Sequence, residues 1–309
     1  MRDTFVKTLS EIAGTDKNVM LVTGDLGFGV LTNFANTFPL QYLNAGVSEQ
    51  NMTGLAAGMA LEGKTVFTYS IGNFPTLRCL EQIRNDVCYH NANVKIVSIG
   101  GGFCYGPLGV SHHATEDLAI MRALPNLTVF APGDLAETSL ATKAAYQITG
   151  PCYLRLGRGN ESCVHDKMPD FAVGKAIPVI MQGDTVLLST GGILGNVIEA
   201  YKILKERKIY GSVYSVPSLK PFDCELIRYL SETSKLIVTV EEHSIIGGLG
   251  GAVAEVLAEL KGKKPPLIRI GLGDTFSCEV GDQEHMRTVY GLSPDAIAER
   301  IYNEVMNGV

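Results

Sequence analysis

Short β-branched runs alternate with helical patterns along this chain, and they do so in two successive series. That alternation constrains the fold more than any other feature. Strands separated by helix-length crossovers pair in parallel, and the helices cover both faces of the sheet. The first series has strand runs at Val19–Val22, Thr65–Thr68, Val94–Val97, Leu127–Phe130 and Tyr153–Arg155. Its helical patterns lie near 48–62, 75–90, 115–123 and 134–148. The second series has strand runs at Thr185–Leu188, Ser212–Tyr214, Leu236–Val240 and Leu267–Ile270. Its helices are expected near 193–207, 222–232, 248–261 and 294–306. Between the series, GRGNESCVHDKMPDF (157–171) is polar, contains Gly and Pro, and lacks periodicity, which marks a connector. The expectation is an α/β protein of two doubly wound, mainly parallel sheets. The first domain is placed at 1–160, the linker at 161–180 and the second domain at 181–309.

Composition narrows the class. Hydrophobic residues are 46% and charged residues 19% of the chain, which excludes a disordered polymer. The net charge is −6 and Lys/Arg are not clustered, so nucleic acid and anionic membranes are poor partners. No apolar run approaches the roughly 18 residues of a membrane span. The opening MRDTFVKTLSEIAG is an amphipathic helix pattern and not a signal peptide. The seven Cys stand singly, with no C-x-x-C, which argues against disulfides or a zinc site. A cytoplasmic protein is expected.

Doubly wound sheets bind ligands in the loops at the carboxyl ends of their strands. In the first series these loops are GDLGFGV (24–30), TYSIGNFPTLR (68–78) and SIGGGFCYGPLGVSHH (98–113). The segment GVSEQNMTGLAAGMALEG (46–63) carries one acid, Glu49, into an otherwise small and apolar helix. Two readings stand open. Glu49 either complements the helix dipole, for up to about 1 kcal/mol, or is a buried carboxylate placed to exchange a proton with a ligand nitrogen. His112 and His113 sit in a Gly-rich loop before an acidic helix start, where two adjacent imidazoles are hard to bury passively.

G-V-S-E-Q-N followed by G-L-A-A-G-M-A resembles the segment of transketolase that carries its cofactor-activating glutamate. The resemblance continues through TLRCLEQIRND (76–86), GVSHHATEDLAIMRALPNLTVFAPGD (109–134), YLRLGRGN (153–160), TGGILGNVIEA (190–200) and EEHSIIGGLGGAVAEVLAE (241–259). Taken together, these motifs in order are similar to the pyrimidine-binding and C-terminal domains of transketolase, an architecture that 1-deoxyxylulose-5-phosphate synthases share. The resemblance implies thiamin diphosphate. A carboxyl group on the pyrimidine N1′ promotes proton removal from the thiazolium carbon, and by carry-over that group is Glu49. The resemblance also implies an aromatic face for the pyrimidine, for which Phe74 is chosen, four residues before Arg78, and Tyr69 and Arg78 are taken with it as cofactor-binding residues. Phe74 as loop-anchoring core is the alternative. His112 takes the place of the substrate-facing histidine, with catalytic and binding roles. His113 falls where the family usually has Gln, and is a weaker substrate contact. Arg158 aligns with the phosphate-binding arginine, whose guanidinium fork suits a phosphate; a linker salt bridge is its alternative.

Two departures bear on the substrate. Transketolase has an Asp four residues before its substrate histidine, where this chain has Leu108. A second family histidine falls within Ser98–Gly102, where no His stands. The expected sugar is therefore a deoxy, branched or otherwise altered ketose. The family's Gly-Asp-Gly motif for Mg²⁺ is also missing. Gly24-Asp25-Leu26 with Asn51 is a near miss and no metal ligands are assigned. The Gly-rich turn 245–252 does not match G-x-G-x-x-G and is expected to serve close helix packing or a dimer contact. The expected function is the C-terminal subunit of a split transketolase moving a two-carbon ketol unit between sugar phosphates. It would work with an N-terminal-section partner that holds the diphosphate and Mg²⁺, in an α2β2 heterotetramer. The alternatives are a deoxyxylulose-phosphate-synthase-like or acyloin-forming subunit, and a non-catalytic partner subunit.

Overall fold

The computed structural model describes residues 1–159 and 161–307, so Asn160 of the GRGN motif lies outside the described residues. The first half runs α1 (Arg2–Ala13), β1 (Val19–Thr23), α2 (Thr32–Thr37), β2 (Tyr42–Asn44), α3 (Glu49–Leu61), β3 (Thr65–Ile71), α4 (Leu80–Gln82), β4 (Val94–Ile99), α5 (Asp117–Ala123), β5 (Thr128–Phe130), α6 (Leu135–Gln147) and β6 (Cys152–Leu156). The second half runs β7 (Ile177–Met181), β8 (Thr185–Thr190), α7 (Leu194–Glu206), β9 (Gly211–Ser215), β10 (Ser218–Lys220), α8 (Cys224–Thr233), β11 (Leu236–Ser244), α9 (Leu249–Glu259), β12 (Leu267–Leu272), α10 (Gln283–Val289) and α11 (Pro294–Met306). Each predicted strand run lies largely within one of these strands. No helix among the described residues is long and apolar enough to cross a membrane.

Two sheets form. A seven-stranded sheet has the order β10-β5-β6-β4-β3-β1-β2, and a five-stranded sheet has the order β12-β11-β8-β9-β7. Pairing is parallel except for β10 against β5 and β7 against β9. The parallel interior follows from sequence: β3, β4 and β6 are almost wholly buried, as apolar runs covered on both faces must be.

Several elements depart from the sequence reading. The helix expected at 75–90 is broken into a 3₁₀ turn at Leu77–Cys79, the single α turn of α4, and a π turn at Ile83–Cys88. The elements α2, β2, β7, β10 and α10 have no counterpart in the sequence pattern. They are short, and a three-residue edge strand such as β2 carries no periodic signal. Strand β7 starts at Ile177, inside the stretch read as linker.

The halves are tied together covalently in sequence and physically in space. β10 lies between β9 and α8 in the chain, yet it pairs with β5 in the first sheet. One apolar cluster runs from Met52 and Val66 through Val129 to Leu188, Ile227 and Val253, so it draws on both halves. The connector is pinned as well. Asp134 caps α6 by accepting from Glu137 N at 2.9 Å, and its other oxygen accepts from Val164 N and His165 N at 3.0 and 3.1 Å. Glu137 pairs with His165 Nε2 at 2.8 Å, which raises the His165 pKa, and accepts from Ser215 Oγ of β9 at 2.9 Å. The Gly-rich turn behaves as a close-packing device. A Cβ on Gly248 would stand 2.0 Å from Glu241, whose carboxylate accepts from Leu249 N and Gly250 N at the start of α9.

His243 on β11 joins the halves through a fixed tautomer. Its Nδ1 donates to Ser244 O at 2.7 Å, and its Nε2 accepts from Ala119 N of α5 at 3.3 Å. Burial lowers its pKa from 6.5 to about 4. The native state therefore binds fewer protons than the unfolded chain between these values. This contribution to stability is intact above pH 6.5 and is lost as pH falls towards 4, by about 3 kcal/mol in total. Glu241, raised by burial to about 7, acts in the opposite sense. Urea unfolding of wild type and His243→Asn between pH 4 and 7 isolates the histidine: the variant is expected to lose less stability on acidification. Parallel pH curves for the two proteins would refute the assignment.

Candidate active site

Glu49 opens α3 and is only 3% exposed. Its carboxylate does not accept from the first-turn N–H groups of its own helix. Instead, Arg78 Nη1 donates to Glu49 Oε2 at 2.7 Å. The GDLGFGV loop closes over the carboxylate, where a Cβ on Gly24 would stand 3.4 Å from Glu49 Cγ. Arg78 sits on the 3₁₀ turn after β3 and is 48% exposed. Its Cζ lies 4.6 Å from the centroid of the Phe74 ring. The imidazole of His112 meets Phe74 edge-on at 5.0 Å and stands 6.3 Å from the Tyr105 ring. Arg158 Cζ lies 5.1 Å from the Tyr105 centroid. Glu49, Arg78, Phe74, His112, Tyr105 and Arg158 thus form one continuous string across the carboxyl ends of the strands.

His112 Nδ1 contacts Ser111 Oγ at 3.0 Å, and burial, with the neighbouring His113, lowers its pKa below 6.5. A neutral imidazole at pH 7 presents one donor and one acceptor, as a proton shuttle requires. His113 is placed differently. It is 1% exposed, its Nε2 donates to Gly106 O at 3.2 Å, and its ring stands edge-on to Phe103 at 5.2 Å. Its Nδ1 is buried without a partner.

Tyr69 is not in the string. It is 2% exposed and stacks on Phe5 of α1 at 6.2 Å, in a cluster with Leu9, Leu21 and Phe67. The reason is the two-residue period of a strand. Val66 of β3 packs in the cluster that holds α3, whereas Phe67 and Tyr69 point to the α1 face. Tyr69 therefore lies on the α1 side of the sheet, away from the string.

Arg158 also lines a cavity of about 610 Å³ between the two halves, with Arg2, Cys104, Asn196, Gln283 and Arg287. Arg2 and Tyr105 escaped the sequence reading. An aromatic residue inside the Gly-rich loop was the available signal for Tyr105, whereas Arg2 offered none. Leu108 is 54% exposed on the turn before His112. The strand end that lacks a histidine is filled. Cβ atoms on Gly100, Gly101 and Gly102 would stand 2.3 Å from Tyr105, 2.8 Å from Arg155 and 2.5 Å from Glu242. Gly100 and Gly102 further adopt φ of +94° and +65°. Of the metal near miss, Asp25 accepts from Asn44 Nδ2 at 2.8 Å, and Asn51 is exposed on α3.

The profile of the transketolase pyrimidine binding domain matches residues 1–162, and that of the transketolase C-terminal domain matches residues 174–297. The chain belongs to the transketolase family. One subunit of an apulose-4-phosphate transketolase from Phocaeicola vulgatus is 35% identical over 300 residues, covering 96% of this chain and 95% of the relative. A 6-deoxy-6-sulfo-D-fructose transketolase subunit from Clostridium sp. (strain MSTE9) is 34% identical, covering 96% and 92%. A split-gene transketolase solved as an inactive beta4 tetramer superposes with a TM-score of 0.89 at 36% identity, covering 98% of this chain and 97% of that one. This transketolase-family chain therefore has the extent of a separate C-terminal-type subunit in its relatives.

The packing at the strand end is testable. Gly101→Ala drives a methyl group into Arg155 and is expected to destabilise the chain by about 1–3 kcal/mol. Gly54→Ala, on an open face of α3 with nothing within 4 Å, serves as the control and is expected to be neutral or stabilising. Chemical denaturation of both variants provides the comparison.

Proposed function

We propose that this chain is the C-terminal subunit of a thiamin-diphosphate-dependent split transketolase, moving a two-carbon ketol unit between phosphorylated sugars. The observation that carries the reading is a carboxylate 3% exposed, at the carboxyl edge of a parallel sheet, joined through the Arg78 guanidinium to a half-buried aromatic ring. That pair fits an aminopyrimidine, which needs a carboxyl group at a ring nitrogen and a flat apolar face. When bound, the cofactor supplies the carbon nucleophile that attacks the ketose carbonyl. Glu49 holds a proton at the pyrimidine N1′, and Phe74 fixes the plane of that ring. His112, neutral at pH 7, donates to or accepts from the sugar hydroxyls. Arg158, with Arg2 across the same cavity, offers donors to a substrate phosphate.

Mg²⁺ and the diphosphate are assigned to an N-terminal-section partner, because this sequence carries Gly24-Asp25-Leu26 where the family motif is Gly-Asp-Gly. Support for such a partner comes from the relatives named as transketolase subunits. An α2β2 assembly is the proposed arrangement. A cytoplasmic setting is in keeping with seven free cysteines, which persist in a reducing compartment. Leu108 in place of the family's Asp favours a sugar with hydrogen or carbon at the position that Asp would read. Desolvating an unpaired hydroxyl beside Leu108 costs about 1–3 kcal/mol, a preference of roughly 5- to 150-fold.

Two measurements test the reading. In the assembled enzyme, Glu49→Gln is expected to slow thiazolium hydrogen–deuterium exchange by about 10²–10⁴-fold while leaving assembly intact; an unchanged exchange rate would remove Glu49 from the chemistry. A donor panel then compares xylulose 5-phosphate, deoxy and branched ketose phosphates, their unphosphorylated analogues, and pyruvate. Arg158→Ala is expected to lower kcat/KM for phosphorylated donors by about 10- to 150-fold more than for unphosphorylated ones. Equal losses argue for a structural Arg158. Decarboxylation of pyruvate would point to synthase-type chemistry, and a wide preference for xylulose 5-phosphate would overturn the reading of Leu108.

A further inference from the structure

The guanidinium of Arg78 makes both contacts that the proposed site reserves for its cofactor. Nη1 donates to Glu49 Oε2 at 2.7 Å, and Cζ stands 4.6 Å from the centroid of Phe74. A guanidinium is flat, carries N–H donors along its edge and stacks on aromatic faces. An aminopyrimidine is also flat, bears an amino group and ring nitrogens on its edge, and stacks in the same manner. The geometry points to Arg78 as an internal placeholder: in the cofactor-free enzyme its guanidinium occupies the pyrimidine seat between Glu49 and Phe74, and it leaves when thiamin diphosphate enters. This inference rests on the assignment of that seat to thiamin diphosphate.

Three features suit a side chain that must move while its surroundings stay. Glu49 is buried, so without a partner it would be an uncompensated charge; Arg78 supplies the partner in the cofactor-free state. Arg78 itself is 48% exposed, so it can swing into water without opening the core. The backbone beneath it is held independently. Arg78 N donates to Asn73 O at 3.3 Å, Cys79 N to Thr76 O at 3.0 Å, and Thr76 Oγ1 to Gly72 O at 3.0 Å. The motion is therefore a rotamer change on a fixed turn. Its chemical consequence is that the carboxylate stays shielded and paired until a ring with matching donors displaces the guanidinium.

A placeholder competes with its ligand, whereas a cofactor-holding arginine assists it, so the two roles predict opposite signs. The test is calorimetric titration of thiamin diphosphate with Mg²⁺ into the assembled two-subunit enzyme, comparing wild type, Arg78→Ala and Arg78→Lys. Only the fraction of sites free of the guanidinium binds, so removing it should raise the affinity. For a half-exposed pair the expected gain in Arg78→Ala is about threefold to tenfold. Arg78→Lys, which keeps the charge but not the plane, should fall between. Thermal unfolding supplies a second readout: Arg78→Ala should lower the Tm of the cofactor-free enzyme, and the deficit should vanish on loading. If Arg78→Ala does not fold, Arg78→Gln, which retains a donor without the charge, takes its place with the same expected sign. Unchanged or weaker affinity in these variants overturns the placeholder. Failure of the wild-type complex to take up any thiamin diphosphate instead overturns the proposed function itself.

Discussion

The shape of the candidate active-site edge depends on one buried guanidinium. Arg155, 4% exposed at the end of β6, donates from Nε to Asp117 Oδ2 at 2.9 Å and from Nη2 to Ala114 O and Glu242 O at 2.8 and 2.9 Å. It thereby joins the first sheet, the start of α5 and the end of β11 in a single set of contacts. Asp117 is 0% exposed and accepts from Tyr153 as well, at 2.6 Å. A buried pair of this kind gains little over an apolar packing, but leaving either partner alone is severely destabilising. The three glycines at 100–102 are the consequence. Side chains there would collide with Arg155, Glu242 and Tyr105, so the loop follows the ion network instead of the reverse.

A second buried set extends the same device across the cavity. Glu242 accepts from Phe103 N at 2.6 Å, from Gln283 Nε2 at 2.9 Å and from Arg287 Nε at 2.8 Å. Arg287 neutralises Glu242 as Asp117 neutralises Arg155, so these buried charges are internally paired. Among the arginines that line the cavity, Arg287 is paired with Glu242 and Arg2 with the exposed Asp3, whereas Arg158 stands over the Tyr105 ring. This division explains why two arginines only three residues apart, Arg155 and Arg158, have unrelated surroundings. One lies on a buried strand, and the other lies beyond its end, stacked on Tyr105.

Much of the architecture was legible because parallel sheets write a loud signal. Buried strands appear as unbroken apolar runs, and the helices between them show length and capping residues such as Asp134 and Asp223. The elements that escaped were short or locally irregular. The π turn at Ile83–Cys88 looks like ordinary helix because it differs in hydrogen-bond partner, not in composition. Strand β10 pairs across the halves, and three residues cannot announce a partner nearly ninety positions away. For the site, motif spacing brought Glu49, Phe74, Arg78, His112 and Arg158 to attention, and they lie along one string. Tyr69 lies off the string because its strand turns alternate residues to opposite faces, and His113 is packed inward against Phe103.

Sequence by itself determined the α/β class and where the principal strands and their loops lie along the chain. These follow from periodicity and from the turn chemistry of Gly and Pro, which act over a few residues. It also determined which side chains are scarce in their surroundings, as with a single acid entering an apolar helix at Glu49. Only the tertiary structure decided which groups meet. The partner of Glu49 is Arg78, 29 residues away, and the binding edge is completed by Tyr105 and Arg2. Such contacts depend on which face each strand turns towards, and on how two sheets are clamped by Arg155. Both are set by packing at long range, where local pattern holds no information.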